Sequence, residues 1–124
     1  MTFARIFCLL QGIGFILFGL YCFFSPERMI EILGAPSMSG DGVYEMRGIY
    51  GGVSFGIGLL ALFGGIKADL RKAALLGLLA YTGGYGLARI AALPLDGFPG
   101  GNFPYFAAFE IVTALICIYL LRQS

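Results

Sequence analysis

Four charged side chains interrupt long apolar runs: Glu45 and Arg47 in one run, Arg89 in the next and Glu110 in the last. A charge withdrawn from water is costly unless it is paired, so an ionisable residue in such a run marks a functional site or a structural ion pair. Two carboxylates and two guanidiniums sum to zero. That balance suits a desolvated network in which planar Arg forks hold Glu oxygens bidentately. On a regular helix Glu45 and Arg47 point about 200° apart, so the simplest solution pairs charges between helices.

Helical neighbours point to a shared interior. Glu110 shares a face with Ala107, Thr113, Ala114 and Cys117, while Phe106, Phe109, Val112 and Ile116 fall on faces suited to lipid. Arg89 shares its face with Tyr85, Gly86 and Thr82, and Arg47 with Tyr50, Gly51, Ser54 and Gly58, so each arginine has a tyrosine one turn deeper. Gln11 in the first run is expected to make an interhelical hydrogen bond.

The elements that position these groups are four apolar segments at about residues 3–24, 43–66, 73–93 and 103–121, each near the ~20 residues that a 30 Å hydrocarbon core requires. Unsatisfied backbone polar groups are untenable in lipid, so the segments are helices. The first is read as a helix and not as a signal peptide, because its run exceeds an h-region and no small-residue cleavage site follows. The expected fold is all-α: an integral membrane four-helix bundle forming a single domain over residues 1–124. With a rise of 1.5 Å per residue, Arg47 and Arg89 lie roughly 6 Å and Glu110 about 10 Å inside one boundary.

Loop charge sets the orientation. Arg5, Lys67, Arg71, Lys72 and Arg122 fall on one side, and Arg28 with Glu27, Glu31, Asp41 and Asp96 on the other, which places both termini in the cytoplasm of a cell whose inner membrane the chain crosses. Tyr21, Tyr44 and Tyr105 are belt anchors near the external boundary. Outside, Ser25 as N-cap, Pro26 at the first helical position and Gly34 as the stop define a short interfacial helix, with Met29, Ile30, Ile32 and Leu33 free to dip into lipid. Pro94 to Asn102 reads as an irregular loop.

A chain 59% hydrophobic and 12% charged, with net charge +1, has lipid as its natural partner and no basic patch for nucleic acid. It contains no His, and Cys8, Cys22 and Cys117 stand apart with no C-x-x-C pair, so no metal and no cofactor is expected and the thiols read as packing residues. Gly48, Gly52 and Gly56 in the second segment, and Ala80, Gly84, Ala88 and Ala92 in the third, recur every four residues. Such stripes let helices approach closely, within the bundle or at the seam of a homodimer.

The run Glu45-Met46-Arg47-Gly48-Ile49-Tyr50-Gly51-Gly52, then Gly86-Leu87-Ala88-Arg89 with Asp96-Gly97 downstream, then Glu110 in the last helix, resembles the bacterial family of small four-helix membrane proteins catalogued as domain of unknown function four-three-four-five. The resemblance spans nearly the whole chain. It singles out Glu45, Arg47, Tyr50, Gly51, Gly52, Arg89, Asp96, Gly97 and Glu110, and it implies no activity.

Four roles fit the cluster Glu45, Arg47, Tyr50, Tyr85, Arg89 and Glu110. It can be an ionic lock that fixes helix register. It can line a cavity that binds the polar head of an amphiphilic or anionic ligand, in a lipid-binding or accessory protein. A small proton-coupled transporter acting as a dimer is the runner-up, although such four-helix chains typically carry the essential carboxylate in the first helix, where this one has Gln11. Last comes membrane-embedded acid/base catalysis, for instance an isomerase using Glu110.

Overall fold

In the computed structural model, residues 2–36 and 39–123 are described. The described residues form helices and connecting turns, with no strand. The order is α1 (Phe3–Phe24), α2 (Pro26–Leu33), α3 (Gly40–Met46), a π-helical segment (Arg47–Val53), α4 (Ser54–Ile66), a 3-10 turn (Ala68–Leu70), α5 (Arg71–Asp96) and α6 (Phe103–Gln123). Three helical stretches, Phe3–Phe24, Gly40–Ile66 and Phe103–Gln123, are long and apolar enough to cross a membrane. The less apolar α5 packs between α4 and α6.

Each stop has a local cause. The Thr2 hydroxyl accepts the Arg5 amide at 3.3 Å and opens α1. At the end of α4, Arg71 donates from Nε to the Gly64 carbonyl at 3.0 Å and from Nη2 to that of Gly65 at 3.3 Å, placing a cation on a helix C-terminus. Helix α5 outruns the expected boundary and holds Pro94 inside it. The amide missing from Pro94 costs one bond near a helix end that Gly97, at φ 79°, terminates anyway.

Glycine controls the pairing of α1 with the second long stretch. A Cβ on Gly12 would lie 2.6 Å from the Leu62 amide nitrogen, one on Gly58 2.6 Å from that of Ile16, and one on Gly19 2.7 Å from the Gly51 carbonyl oxygen. Gly12 and Gly19, like Gly51, Gly58 and Gly65, recur every seven residues and form one antiparallel seam. The expected stripe lies elsewhere: Gly48, Gly56 and Gly84 have nothing within 4 Å of a built Cβ, and Gly52 meets only a carbonyl of its own segment at 3.9 Å. These four glycines face outward, so contact inside the bundle runs along the neighbouring face.

Two apolar cores are stacked along the bundle. One, towards the Arg71 end, joins Phe7, Cys8, Phe15, Ala61, Ala74, Leu75, Leu78, Cys117 and Leu120; the other, at the α2 end, joins Cys22, Met29, Ile30, Leu33 and Met46. Helix α2 therefore turns Met29, Ile30 and Leu33 into protein, leaving Ile32 of that apolar set exposed. Asn102 fastens this cap, since its amide nitrogen donates to the Leu33 carbonyl and its side chain to that of Ile32. The neighbouring backbone presses on Leu33 so closely at Gly101, φ 58°, that a side chain would not fit.

Candidate functional site

Arg89 stands seven residues before the end of α5 (96 − 89) and Glu110 seven after the start of α6 (110 − 103), so two antiparallel helices bring them level. The extra turn of α5 through Pro94 sets Arg89 about 10 Å below the helix end, matching Glu110. They meet as a fork: Arg89 Nε donates to Glu110 Oε1 at 2.9 Å and Nη2 to Oε2 at 3.4 Å. Glu110 is 7% exposed, whereas the Arg89 side chain keeps 24% of its surface open. The guanidinium lies 5.5 Å from the Tyr85 ring centre and 5.9 Å from that of Phe103.

Below the pair runs a ladder of tyrosines. Tyr50 and Tyr85 meet edge to face with ring centres 6.5 Å apart, and Tyr85 and Tyr81 lie 5.1 Å apart. The Tyr81 hydroxyl shares a 2.8 Å hydrogen bond with the Ser54 hydroxyl. Tyr50 enters this row from the π-helical segment, whose wider winding turns a different face to α5 than a regular helix would.

The ladder forms one wall of a cavity of about 460 Å³ between the two cores, within the range of small-molecule sites. Leu10, Gln11, Gly14, Phe15 and Phe18 of α1 face it, together with Tyr105, Phe106, Phe109 and Glu110 of α6 and the ladder with Arg89. Helix α1 packs along α4 and α6 along α5, but α1 and α6 barely touch. They are bridged by rings, Phe15 to Phe109 at 6.0 Å and Phe18 to Phe106 at 6.1 Å. Exposed Leu10, Gly14 and Phe109 stand at this gap, so the cavity opens sideways between two apolar helices.

Of the six residues expected in the polar cluster, Tyr50, Tyr85, Arg89 and Glu110 line the cavity, and Glu45 and Arg47 do not. Arg47 begins the π-helical segment and points outward, its Nε donating to the Phe23 carbonyl at 2.9 Å across the end of α1. Glu45 is exposed. Phe106 and Phe109, assigned to lipid from the sequence, face the cavity, and Gln11, assigned an interhelical hydrogen bond, has a buried Oε1 without a partner. Tyr81 and Phe18 escaped the sequence reading, although the four-residue step from Tyr81 to Tyr85 puts both on one helix face.

Chemically, the site offers one satisfied ion pair, phenolic hydroxyls, one amide and an apolar body. Both Glu110 oxygens are held by Arg89, which leaves the carboxylate poorly placed to take a proton from a substrate. Among the described residues no group of three His, Cys, Asp or Glu side chains could hold a metal ion. No curated protein and no solved structure matches the chain. Its sequence matches from residue 3 to residue 121 the family described as Domain of unknown function (DUF4345), and the chain belongs to that family.

Proposed function

We propose that this chain is a multi-pass inner-membrane protein that holds a membrane-dissolved amphiphile in the cavity between α1, α5 and α6. The observation that carries this reading is the sideways opening: a ligand dissolved in lipid reaches the polar ladder between α1 and α6 without crossing water. In this arrangement α5 is the fourth crossing, its 26 residues being ample for the hydrocarbon core. Both termini and the Arg71 turn face the cytoplasm, and α2 covers the external end.

The same geometry weighs against a proton-coupled transporter, which needs a route to a carboxylate from both ends. Towards the Arg71 end the bundle is closed by a packed core that includes Ala61, Leu75, Leu78 and Cys117, all almost fully buried. Native mass spectrometry of gently extracted protein is expected to show one strongly retained small molecule per chain and to report copy number. Gly14 has nothing within 4 Å of a built Cβ, so Gly14→Leu fills the mouth without a backbone clash. The retained molecule should be missing from that variant; identical retention in variant and wild type would overturn the reading.

A further inference from the structure

The cavity specifies the chemistry of its ligand through the balance of its charged and polar groups. Arg89 and Glu110 are the charged residues among those lining it, and their forked contact neutralises both. An anionic head would have to draw Arg89 away from a carboxylate that is 7% exposed, and a cationic head would have to draw Glu110 from its arginine. Either exchange strands a charge where solvent is scarce. The pair therefore screens against charged heads.

What remains unmatched is neutral. Arg89 has five N–H groups, of which two are engaged by Glu110 and a third is within reach of the Tyr50 hydroxyl, so donors remain for an oxygen of the ligand. At the other end Gln11 presents a buried Oε1 with no partner, an acceptor that needs a donor. A hydroxyl is the uncharged group that both accepts and donates. The intervening walls are rings, among them Tyr81 with Phe15 on one side of it and Tyr85 on the other, and aromatic faces and edges pack well against another ring.

We infer that the ligand is an uncharged ring lipid bearing hydroxyl oxygen, the chemistry of a quinol or an alkylphenol, with its apolar tail leaving between α1 and α6. This assignment rests on the cavity reading above and narrows it. The anionic alternative expected from the sequence is disfavoured because Glu110 already occupies the arginine.

The test uses three probes with alkyl chains of nearly equal length: 4-decylphenol, decanoate and decylamine. Each is titrated into the full chain in phosphatidylcholine nanodiscs, and bound probe is counted by native mass spectrometry. The phenol should bind with one-to-one saturation at least about tenfold more tightly than either charged probe, and Gly14→Leu should abolish its binding. Gln11→Leu should weaken it about five- to tenfold, the value of one hydrogen bond, while leaving the melting temperature of the unliganded protein no lower. Decanoate or decylamine bound as tightly, and lost in Gly14→Leu, would overturn the uncharged assignment and leave the cavity reading standing. Failure of all three probes to give a Gly14-sensitive complex would overturn both. Unchanged phenol affinity in Gln11→Leu would overturn the role given to the amide.

Discussion

Removing Arg89 should damage the fold more than removing Glu110, and removing both should restore much of the loss. In Arg89→Leu the Glu110 carboxylate is left at 7% exposure with neither of its two nitrogen partners. Stranding one member of a buried ion pair costs about 3 to 5 kcal/mol, and the partial opening around Arg89 argues for the lower end, roughly 3 kcal/mol. In Glu110→Leu the stranded group is the arginine, whose side chain is 24% exposed and long enough to swing its head towards the α2 end, so the expected cost is nearer 1.5 kcal/mol, about half as much. At about 3 °C per kcal/mol for a chain of this length, the melting temperature falls by about 9 °C and 4 °C respectively. Independent losses would add to about 13 °C in the double variant, whereas a lock predicts a drop of about 4 °C or less. The assay is thermal unfolding of the four proteins in one detergent, read by circular dichroism. Additive losses, or singles as stable as wild type, would show that the pair is solvated and that the burial argument fails.

Overpacking the glycine seam should be costly on one face only: Gly58→Ala, whose new carbon lies 2.6 Å from a backbone nitrogen, should lose about 1 to 3 kcal/mol in the same melting assay. Gly56→Ala, which meets nothing within 4 Å, should be neutral or gain up to about 1 kcal/mol from helix propensity; equal effects would refute the seam. Cys8, Cys22 and Cys117 are free and fully buried, so a maleimide should leave the native protein unlabelled and modify it after denaturation, and the triple Ala variant should still fold. Rapid labelling in the native state would contradict that packing. Reporter fusions after Arg71 and after Ser124 should report cytoplasm and one at Ser39 the exterior, and termini on opposite sides would exclude four crossings.

Much of the fold could be read from the chain because length and hydropathy act locally. The observed starts Phe3 and Phe103, and the stop at Gly34, fall where apolar runs and glycine place them. That charges pair between helices was legible too, since a charge withdrawn from water demands a partner, but the sequence leaves Glu45 and Glu110 both open to Arg89 and only the structure chooses Glu110. What escaped depends on the third dimension. The four-residue glycine stripe was noticed and the seven-residue one was not, yet in a pair of antiparallel helices the heptad repeat keeps a single seam facing the partner. A π-helical segment has no signature in hydropathy, and it alters the faces of Glu45, Arg47 and Tyr50 relative to α4. The destination of α2 was hidden too, because Met29, Ile30 and Leu33 suit a lipid surface and a protein core equally well.

The cavity follows from two packing distances that cannot both extend across the bundle. Glycines draw α1 against α4, and small residues, including Gly86 beside Ile111, draw α6 against α5. Between α1 and α6 the contacts are made by phenylalanine rings at about 6 Å, which act as spacers. Protein interiors otherwise close-pack, and the spacers leave instead a cavity of about 460 Å³ with an open side. A disordered acyl chain would satisfy the apolar wall and leave the Gln11 acceptor bare, so the occupant that best completes the structure also brings a polar group to that depth.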